Sequence, residues 1–275
     1  MLAPPCRSPM EDKVYMPAAT RIALVIEYDG TDYFGFQWQD DQPTIQQELE
    51  EAIFRLTGEK TRVVSASRTD TGVHAQGQVV SFRAMSSLPL SSFVTGLNYY
   101  LPSSIAVKTA HRPAVGFHVQ RSAVSREYEY YLLNRPTRSP LWQRFAYRVP
   151  GNLDLAKMRE ACQTLVGEHD FASFTNAGCP QLKDSVRKVY KAELRQDDDL
   201  VVFTIVASSF LTHQVRNTVG ALLKVGLGRM STQAFYSIME QKKPGLAGPK
   251  APACGLHLIR VNYPHPIEEE TDENV

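Results

Sequence analysis

Two halves of the sequence show the same order of strand and helix patterns, and this order limits the folds that the chain can adopt. In the first half, alternating apolar residues predict a strand over residues 21–28. A helix pattern begins at Thr44, where Gln47 completes a capping box, and ends at Gly58. The remaining patterns of this half are strands at residues 61–66 and up to Phe82, a helix at residues 90–100 and a strand at residues 105–110. The order is β-α-β-β-α-β, which is that of the ferredoxin-like unit.

The second half repeats this order with little residue-level identity to the first. Its patterns are strands at residues 126–134, 186–194, 200–206 and 256–263, and helices at residues 153–166, 213–225 and 232–239. Gly167 is expected to end the first of these helices. We therefore predict an α+β protein of two ferredoxin-like halves. Their mixed or antiparallel sheets should lie side by side, with a catalytic cleft between them.

These patterns divide the chain into four predicted segments. Residues 1–19 contain four prolines and no apolar periodicity, which predicts a disordered extension. Residues 20–115 form the N-terminal α/β half and carry the candidate catalytic loop described below. Residues 116–264 form the C-terminal α/β half, and residues 265–275 form an acidic tail.

The composition argues against several classes of protein. Lys and Arg number 30 and Asp and Glu 29, so a nucleic-acid partner would have to meet a local basic cleft rather than a basic protein. The four cysteines are scattered, which disfavours a disulfide framework or a zinc site. No apolar run reaches the length of a membrane span, and the amino terminus lacks the pattern of a secretory signal. We expect a soluble, cytoplasmic protein without a membrane segment.

The stretch from Ser65 to Phe82 holds the strongest candidates for chemistry. It places Arg68, Asp70 and His74 in one short polar region between two strand patterns. Rigid sheets often carry functional residues on such loops. Thr-Asp-Thr-Gly is also favourable turn chemistry, so a purely structural turn is the alternative at this point.

Residues 68–75 read Arg-Thr-Asp-x-Gly-Val-His-Ala and are followed by Gly-Gln-Val, which resembles the catalytic-aspartate motif of the TruA-type tRNA pseudouridine synthases. Further matching segments follow in the expected order, so the resemblance covers roughly residues 20–264. It implies an isomerase that detaches a uracil from its ribose and rejoins it through carbon 5. The implied targets are positions 38, 39 and/or 40 of the tRNA anticodon stem-loop. Asp70 would be the nucleophile, since a carboxylate can form a reversible covalent intermediate without a metal or a cofactor.

The resemblance implies three substrate-binding residues. Arg68 would help to displace the target base from the stem, because bases inside a duplex must leave the stack before chemistry. Tyr128 would stack its ring on the uracil, although an aromatic residue on an apolar strand face is more often part of a core. Leu256 would lie against the target base.

Arg216 is the second predicted catalytic residue. It lies in a segment that resembles the family pattern Phe-x-x-x-x-Val-Arg-Asn-x-Val-Gly, within an otherwise apolar helix pattern. Because a buried guanidinium without a partner is costly, we expect Arg216 to contact Asp70. The alternatives are an Arg216 that faces solvent or one that pairs with another carboxylate.

Three segments depart from the family pattern, at Ser67, at Thr71 and at residues 119–121, where Gln120 replaces an Arg. Two other functions stay open. One is a non-catalytic RNA-binding relative, and the other is an aspartic hydrolase, suggested by Asp-Thr-Gly at residues 70–72. The hydrolase needs two carboxylates that share a proton, and the chain contains this motif once. Since relatives act as homodimers on tRNA, we expect a homodimer with tRNA as its partner.

Overall fold

The structure is a computed structural model, and it describes residues 20–177 and 184–267. The predicted extension at residues 1–19, the cysteines Cys6 and Cys179, and residues 268–275 of the predicted tail lie outside the described residues. The strands are β1 (Thr20–Tyr28), β2 (Val64–Ser65), β3 (His74–Ala84), β4 (Ile105–His111), β5 (Ser125–Leu133), β6 (Tyr147–Arg148), β7 (Gly167–Asp170), β8 (Val186–Asp197), β9 (Leu200–Ala207) and β10 (Leu256–Asn262). The α-helices are α1 (Ile45–Thr57), α2 (Leu90–Tyr100), α3 (Leu155–Gln163), α4 (Gln214–Gly226) and α5 (Thr232–Gln241).

The strands form one continuous mixed sheet in the order β4-β1-β3-β10-β5-β9-β8-β7, with β2 paired to β3 and β6 paired to β5. In each half the fourth main strand, the first, the third and the second lie side by side: β4-β1-β3-β2 and β10-β5-β9-β8. The neighbours within these two groups are antiparallel. The prediction of a mixed α+β fold is confirmed.

The two halves meet at a short parallel pairing between β3 and β10. His257 lies opposite His74, and Leu258 lies opposite Ala75. The sequence predicted two sheets lying side by side, whereas the structure joins them into one sheet through these residues. The pairing spans residues almost two hundred positions apart, so no local pattern of either strand could indicate it. One continuous buried core contains residues of both halves.

Local signals set several element boundaries. The Thr44 hydroxyl accepts a hydrogen bond from the Gln47 amide at 3.3 Å and caps α1. Gly58 ends the helix in a left-handed conformation, and its amide donates to the Phe54 carbonyl. Asp198 adopts a φ of 49° at the tip of the predicted hairpin between β8 and β9. The predictions of α1 and of this hairpin are confirmed.

The predicted boundaries of the helix at residues 153–166 are wrong. The observed helix α3 ends at Gln163, and Thr164 is its C-cap residue. Gly167 does not cap it; with a φ of 120°, it begins β7 and pairs with Val189 of β8. A glycine after a helical pattern resembles a C-cap, but here long-range strand pairing determines its conformation. No helix of residues 20–177 and 184–267 has the length and apolar character that crossing a bilayer requires.

Candidate active site

A cavity of about 690 Å³ lies between the loop that joins β2 to β3 and the segment that leads into α4. Its walls come from both halves of the chain. The five residues singled out by the sequence all line it: Arg68, Asp70, Tyr128, Arg216 and Leu256. A volume of this size is in the range of small-molecule and nucleotide sites.

The loop that carries Asp70 is held by backbone contacts from its neighbours. The Val73 amide donates to the Asp70 carbonyl at 3.1 Å, so the Thr-Asp-Thr-Gly sequence does form a turn. The Thr69 carbonyl accepts from the Phe36 amide, also at 3.1 Å. Gly35 packs against the backbone of this loop so closely that a Cβ added to it would lie 2.8 Å from the Thr69 carbonyl oxygen. The turn is therefore structural in its backbone, and it leaves the Asp70 carboxylate to face the cavity.

Asp70 and Arg216 are in direct contact, as the sequence predicts. Arg216 Nη1 donates to Asp70 Oδ2 at 3.0 Å, and Arg216 Nε donates to the Ala251 carbonyl at 2.8 Å. The Arg216 side chain is 10% exposed, whereas that of Asp70 is 28% exposed. The guanidinium is thus fixed in the wall, and the carboxylate remains accessible from the cavity.

His213 is a neighbour of Asp70 that the sequence reasoning missed. Its Nε2 lies 3.5 Å from Asp70 Oδ2, on the side of the carboxylate that also meets Arg216. Burial lowers the pKa of His213, although the Asp70 charge acts in the opposite direction. The signal was its place three residues before Arg216, but nothing in the sequence shows which way its side chain points.

Tyr128 forms part of the cavity wall. Its hydroxyl is 3.0 Å from the Ser67 hydroxyl, and its ring meets the Phe210 ring edge-on at 5.2 Å between centroids. Burial raises the pKa of Tyr128 to about 12, so the hydroxyl is neutral near pH 7. Only 5% of the residue is exposed. The structure therefore places this ring in the packed wall of the cavity.

Arg126 is a second residue that the sequence did not assign to the site. It is buried, and its guanidinium donates to the carbonyls of Ala66, Gln120 and Ser208 at 3.1, 2.7 and 2.8 Å. Burial lowers its pKa. Ala66 precedes the Asp70 loop and Ser208 precedes α4, so one side chain ties the two walls of the cavity together.

Arg68 and Leu256 occupy different environments in the cavity. Arg68 is exposed, and among residues 20–177 and 184–267 its side chain has no ion pair or hydrogen bond. Leu256 begins β10 and is 6% exposed. Among the described residues, Arg68 forms no ion pair with Asp70, which is two residues later in the chain.

His74 does not face this cavity, although it belongs to the same polar stretch. It begins β3, its Nδ1 accepts from the Gly30 amide at 3.1 Å, and its ring stacks on that of His257 at 4.6 Å. Both histidines line a separate cavity of about 380 Å³. Within the described ranges, no group of three or more His, Cys, Asp or Glu side chains is arranged to hold a metal ion.

Comparison with known proteins supplies a further finding. A family model described as tRNA pseudouridine synthase matches residues 24–120 and 161–264. The chain is 44% identical over 244 residues to the tRNA pseudouridine synthase A of Blochmanniella pennsylvanica, and the aligned region covers 89% of this chain and 93% of that protein. It is 42% identical over 245 residues to the tRNA pseudouridine synthase A of Neisseria gonorrhoeae, covering 89% and 92%. The chain is also 40% identical over 242 residues to the tRNA pseudouridine synthase A of Pelobacter propionicus, and the aligned region covers 88% of this chain and 99% of that protein.

Proposed function

Because this chain belongs to the tRNA pseudouridine synthase family, we propose that it converts uridine to pseudouridine at positions 38, 39 and/or 40 of the tRNA anticodon stem-loop, with Asp70 as the nucleophile. The protein is an isomerase that acts on tRNA. The observation that carries the proposed site is the Asp70 carboxylate, accessible from the cavity and held by Arg216 at 3.0 Å.

The reaction exchanges one bond of the ribose for another. The bond from C1′ to N1 of uracil breaks, and its electron pair leaves with the base. A bond from C1′ to C5 then forms, C5 loses its proton, and N1 gains one, so the product has the same atoms as the substrate. A carboxylate can capture the electron-poor sugar carbon and be released again, as in glycosidases. Asp70 Oδ1 is available for this step, since both close contacts of the carboxylate described above involve Oδ2.

The cavity walls support a role in holding an extruded base. A uridine in the stem must leave the stack before its sugar can be reached. Tyr128, Phe210 and Leu256 give the cavity an apolar side that suits a uracil ring. Arg68 has no partner among the described residues, so its guanidinium is available to fill the space that the base leaves or to meet the RNA backbone.

The topology and the charge support two finer proposals. We propose that the two halves are ferredoxin-like units, which is supported by the strand order β4-β1-β3-β2 and its counterpart β10-β5-β9-β8. We also propose a homodimer, because a chain of net charge +1 gains cationic surface for one tRNA by pairing two clefts. The division at residues 115 and 116, and a cytoplasmic location, remain predictions.

The rival functions find less support at this site. An aspartic hydrolase needs a second carboxylate that shares a proton with the first. Among the described residues, the side chains in contact with Asp70 Oδ2 are those of Arg216 and His213, and neither of them is a carboxylate. A non-catalytic RNA-binding relative has no use for such an arrangement in a cavity.

Mapping of the modified nucleotide tests the proposal. The purified protein is incubated with unmodified tRNA transcripts, without added metal or cofactor, and pseudouridine is located by carbodiimide labelling. We expect modification at one or more of positions 38, 39 and 40. Pseudouridine at other positions alone would contradict the proposed target, and an absence of pseudouridine with several tRNAs would contradict the activity.

A further inference from the structure

His213 holds a left-handed backbone conformation, which is uncommon in residues other than glycine. It is the N-cap residue of α4, with a φ of 63° and a ψ of 3°, and its side chain makes no capping hydrogen bond. A positive φ is uncommon in residues other than glycine, although asparagine, aspartate and histidine adopt it more often than the rest. Such strain persists where surrounding contacts hold the residue in place, and it occurs often at functional sites. Here the conformation places the imidazole between Asn176 and Asp70.

A chain of side-chain contacts fixes which imidazole nitrogen carries the proton. Asn217 Nδ2 is 2.8 Å from the Phe174 carbonyl, which can only accept, so this atom is a donor. The same nitrogen is 3.5 Å from Asn176 Oδ1, which assigns the Asn176 oxygen to that side. Asn176 Nδ2 therefore faces His213 Nδ1, at 2.7 Å, and donates to it. Nε2 has two polar neighbours: Lys250 Nζ at 3.4 Å, which can only donate, and Asp70 Oδ2 at 3.5 Å, which can only accept. The contact of Nδ1 with Asn176 is much shorter than either, at 2.7 Å, and it favours Nδ1 as the acceptor. The proton of the neutral ring then lies on Nε2, where it can be donated to Asp70 Oδ2 but not to Lys250.

Three charged groups act on this imidazole. Asp70 favours its protonated form, whereas Lys250, whose Nζ is 3.4 Å from Nε2, and Arg216 oppose it. Burial is the largest effect, and it lowers the pKa of His213. Near pH 7 the ring is therefore a neutral donor rather than a second cation beside Asp70.

We propose that His213 is a positioning residue whose Nε2–H, together with Arg216, holds Asp70 Oδ2 and leaves Oδ1 as the oxygen that reacts. This inference rests on the proposed function of the same site. Two donors on one oxygen restrict rotation of the carboxylate, and restricted rotation favours a reactive geometry. The distance of 3.5 Å between Nε2 and Oδ2 is longer than a hydrogen bond, so the proposal requires this contact to shorten when a substrate fills the site, as catalytic hydrogen bonds often do.

A pair of variants at residue 213 tests the donor directly. His213→Phe keeps the ring shape and removes both nitrogens, whereas His213→Gln keeps an N–H donor near the position of Nε2. In single-turnover reactions with saturating enzyme, we expect His213→Phe to lower the rate by about tenfold to a hundredfold, with tRNA affinity close to that of the wild type. His213→Gln should recover part of this loss. Equal rates for His213→Phe and the wild type would overturn the proposal, and so would equal losses in both variants.

A double-mutant cycle tests the orienting role of Asn176. Asn176→Leu removes the donor that sets the tautomer of His213, so its rate should fall in the same way, and the double variant with His213→Phe should be no slower than the slower single variant. Independent, additive losses would contradict this. Lys250→Met is the matched control, because it removes a polar neighbour of the same nitrogen without removing the N–H. It should keep the wild-type rate.

A third variant separates positioning from structural support. Asparagine adopts a positive φ and caps helices more readily than histidine, so His213→Asn should melt no lower than the wild type. Its short side chain does not reach Asp70, so its rate should still fall. A lower melting temperature with an unchanged rate would assign His213 a structural role and overturn the inference. If the wild type itself makes no pseudouridine in tRNA, the proposed function fails, independently of these variants.

Discussion

Asp70 and Arg216 stabilise each other's charge in the cavity wall. The Arg216 side chain is largely buried, and a guanidinium in that position needs a carboxylate and further acceptors. It obtains them from Asp70 Oδ2 and from the Ala251 carbonyl. In return, the guanidinium donates a hydrogen bond to the Oδ2 atom of the carboxylate that we propose as the nucleophile.

Substitution of Arg216 should affect both rate and stability. We predict that Arg216→Met lowers the single-turnover rate by about a hundredfold or more and destabilises the fold by about 2 kcal/mol, because Asp70 and the Ala251 carbonyl lose a donor. Arg216→Lys should restore part of the rate, since it carries the charge without the planar fork. Arg159→Met is the control: Arg159 also donates to a carbonyl, that of Leu194, but lies outside the cavity. A normal rate for Arg216→Met would contradict the pairing.

The contact between Asp70 and Arg216 could be predicted from the sequence, because a guanidinium in an apolar helix requires a carboxylate partner whatever the rest of the fold. The roles of His213 and Arg126 could not. That of His213 depends on a left-handed backbone, and Arg126 bonds to carbonyls of three separate segments. Neither feature leaves a pattern in neighbouring residues.

At the scale of elements, α4 lies close to the segment that supplies the Arg216 acceptor. A Cβ on Gly220 would overlap the Pro249 carbonyl oxygen. Ala251, two residues later, accepts from Arg216. The position of Arg216 therefore depends on how closely the helix approaches this segment.

We predict that Gly220→Ala lowers the melting temperature, by overpacking that costs about 1–3 kcal/mol, and also lowers turnover. The control is Gly226→Ala on the same helix, where an added Cβ meets the flexible side chain of Met158 instead of backbone. Thermal unfolding and single-turnover rates compare the two variants. The account would be contradicted if the two variants lost the same amount of stability and only Gly226→Ala lost turnover.

The pairing of β3 with β10 brings together two histidines with lowered pKa values. Burial lowers the pKa of His257 to about 4, with a further contribution from His74, whose own pKa burial also lowers. Below about pH 6.5, the usual value for histidine, the unfolded chain takes up protons that the folded chain does not. The stability of this pairing is thus complete above pH 6.5 and decreases as the pH falls toward 4.

We predict that the free energy of unfolding falls by about 3 kcal/mol between pH 7 and pH 4 through His257 alone. His257→Gln, which can still donate to the Phe145 carbonyl, should be less stable at pH 7 and show a flatter dependence on pH. His265→Gln removes an exposed imidazole and should leave the dependence unchanged. Urea unfolding at several pH values measures the free energy of unfolding of each variant. If this free energy depends on pH in the same way in the wild type and in His257→Gln, the assignment to His257 is contradicted.

Boundaries set by local chemistry could be predicted, and those set by pairing could not. The ends of α1 follow from the Thr44 hydroxyl and from the left-handed backbone of Gly58, and both effects act within a few residues. The end of α3 does not follow from Gly167, because that glycine pairs with a strand about twenty residues later. The pairing of β3 with β10 could not be predicted for the same reason, because it also joins residues that are far apart in the sequence.

At the scale of the whole molecule, a single sheet holds the two walls of the cavity in fixed relation. Asp70 lies just before β3, Leu256 and Tyr128 lie on β10 and β5, and these three strands are consecutive in the sheet. A core that continues through both halves supports this arrangement. Residues almost two hundred positions apart therefore line one cavity.

We predict a homodimer in solution whose affinity for tRNA decreases steeply as salt rises, because phosphate contacts release counterions. Light scattering gives the assembly state, and filter binding at several salt concentrations gives the slope. Deletion of residues 1–18 should change neither result. A fully active monomer at micromolar concentration would contradict the dimer, and an affinity independent of salt would contradict the electrostatic contribution.

The most direct test of the central claim, that Asp70 performs the chemistry in this cavity, is the single-turnover rate of pseudouridine formation by Asp70→Asn. The matched control is Asp198→Asn, the same change at a hairpin tip whose φ of 49° suits asparagine. We predict that Asp70→Asn binds tRNA nearly as well as the wild type but reacts about a thousandfold more slowly or not at all, whereas Asp198→Asn keeps the wild-type rate. Pseudouridine formation by Asp70→Asn at a rate close to that of Asp198→Asn would contradict the account.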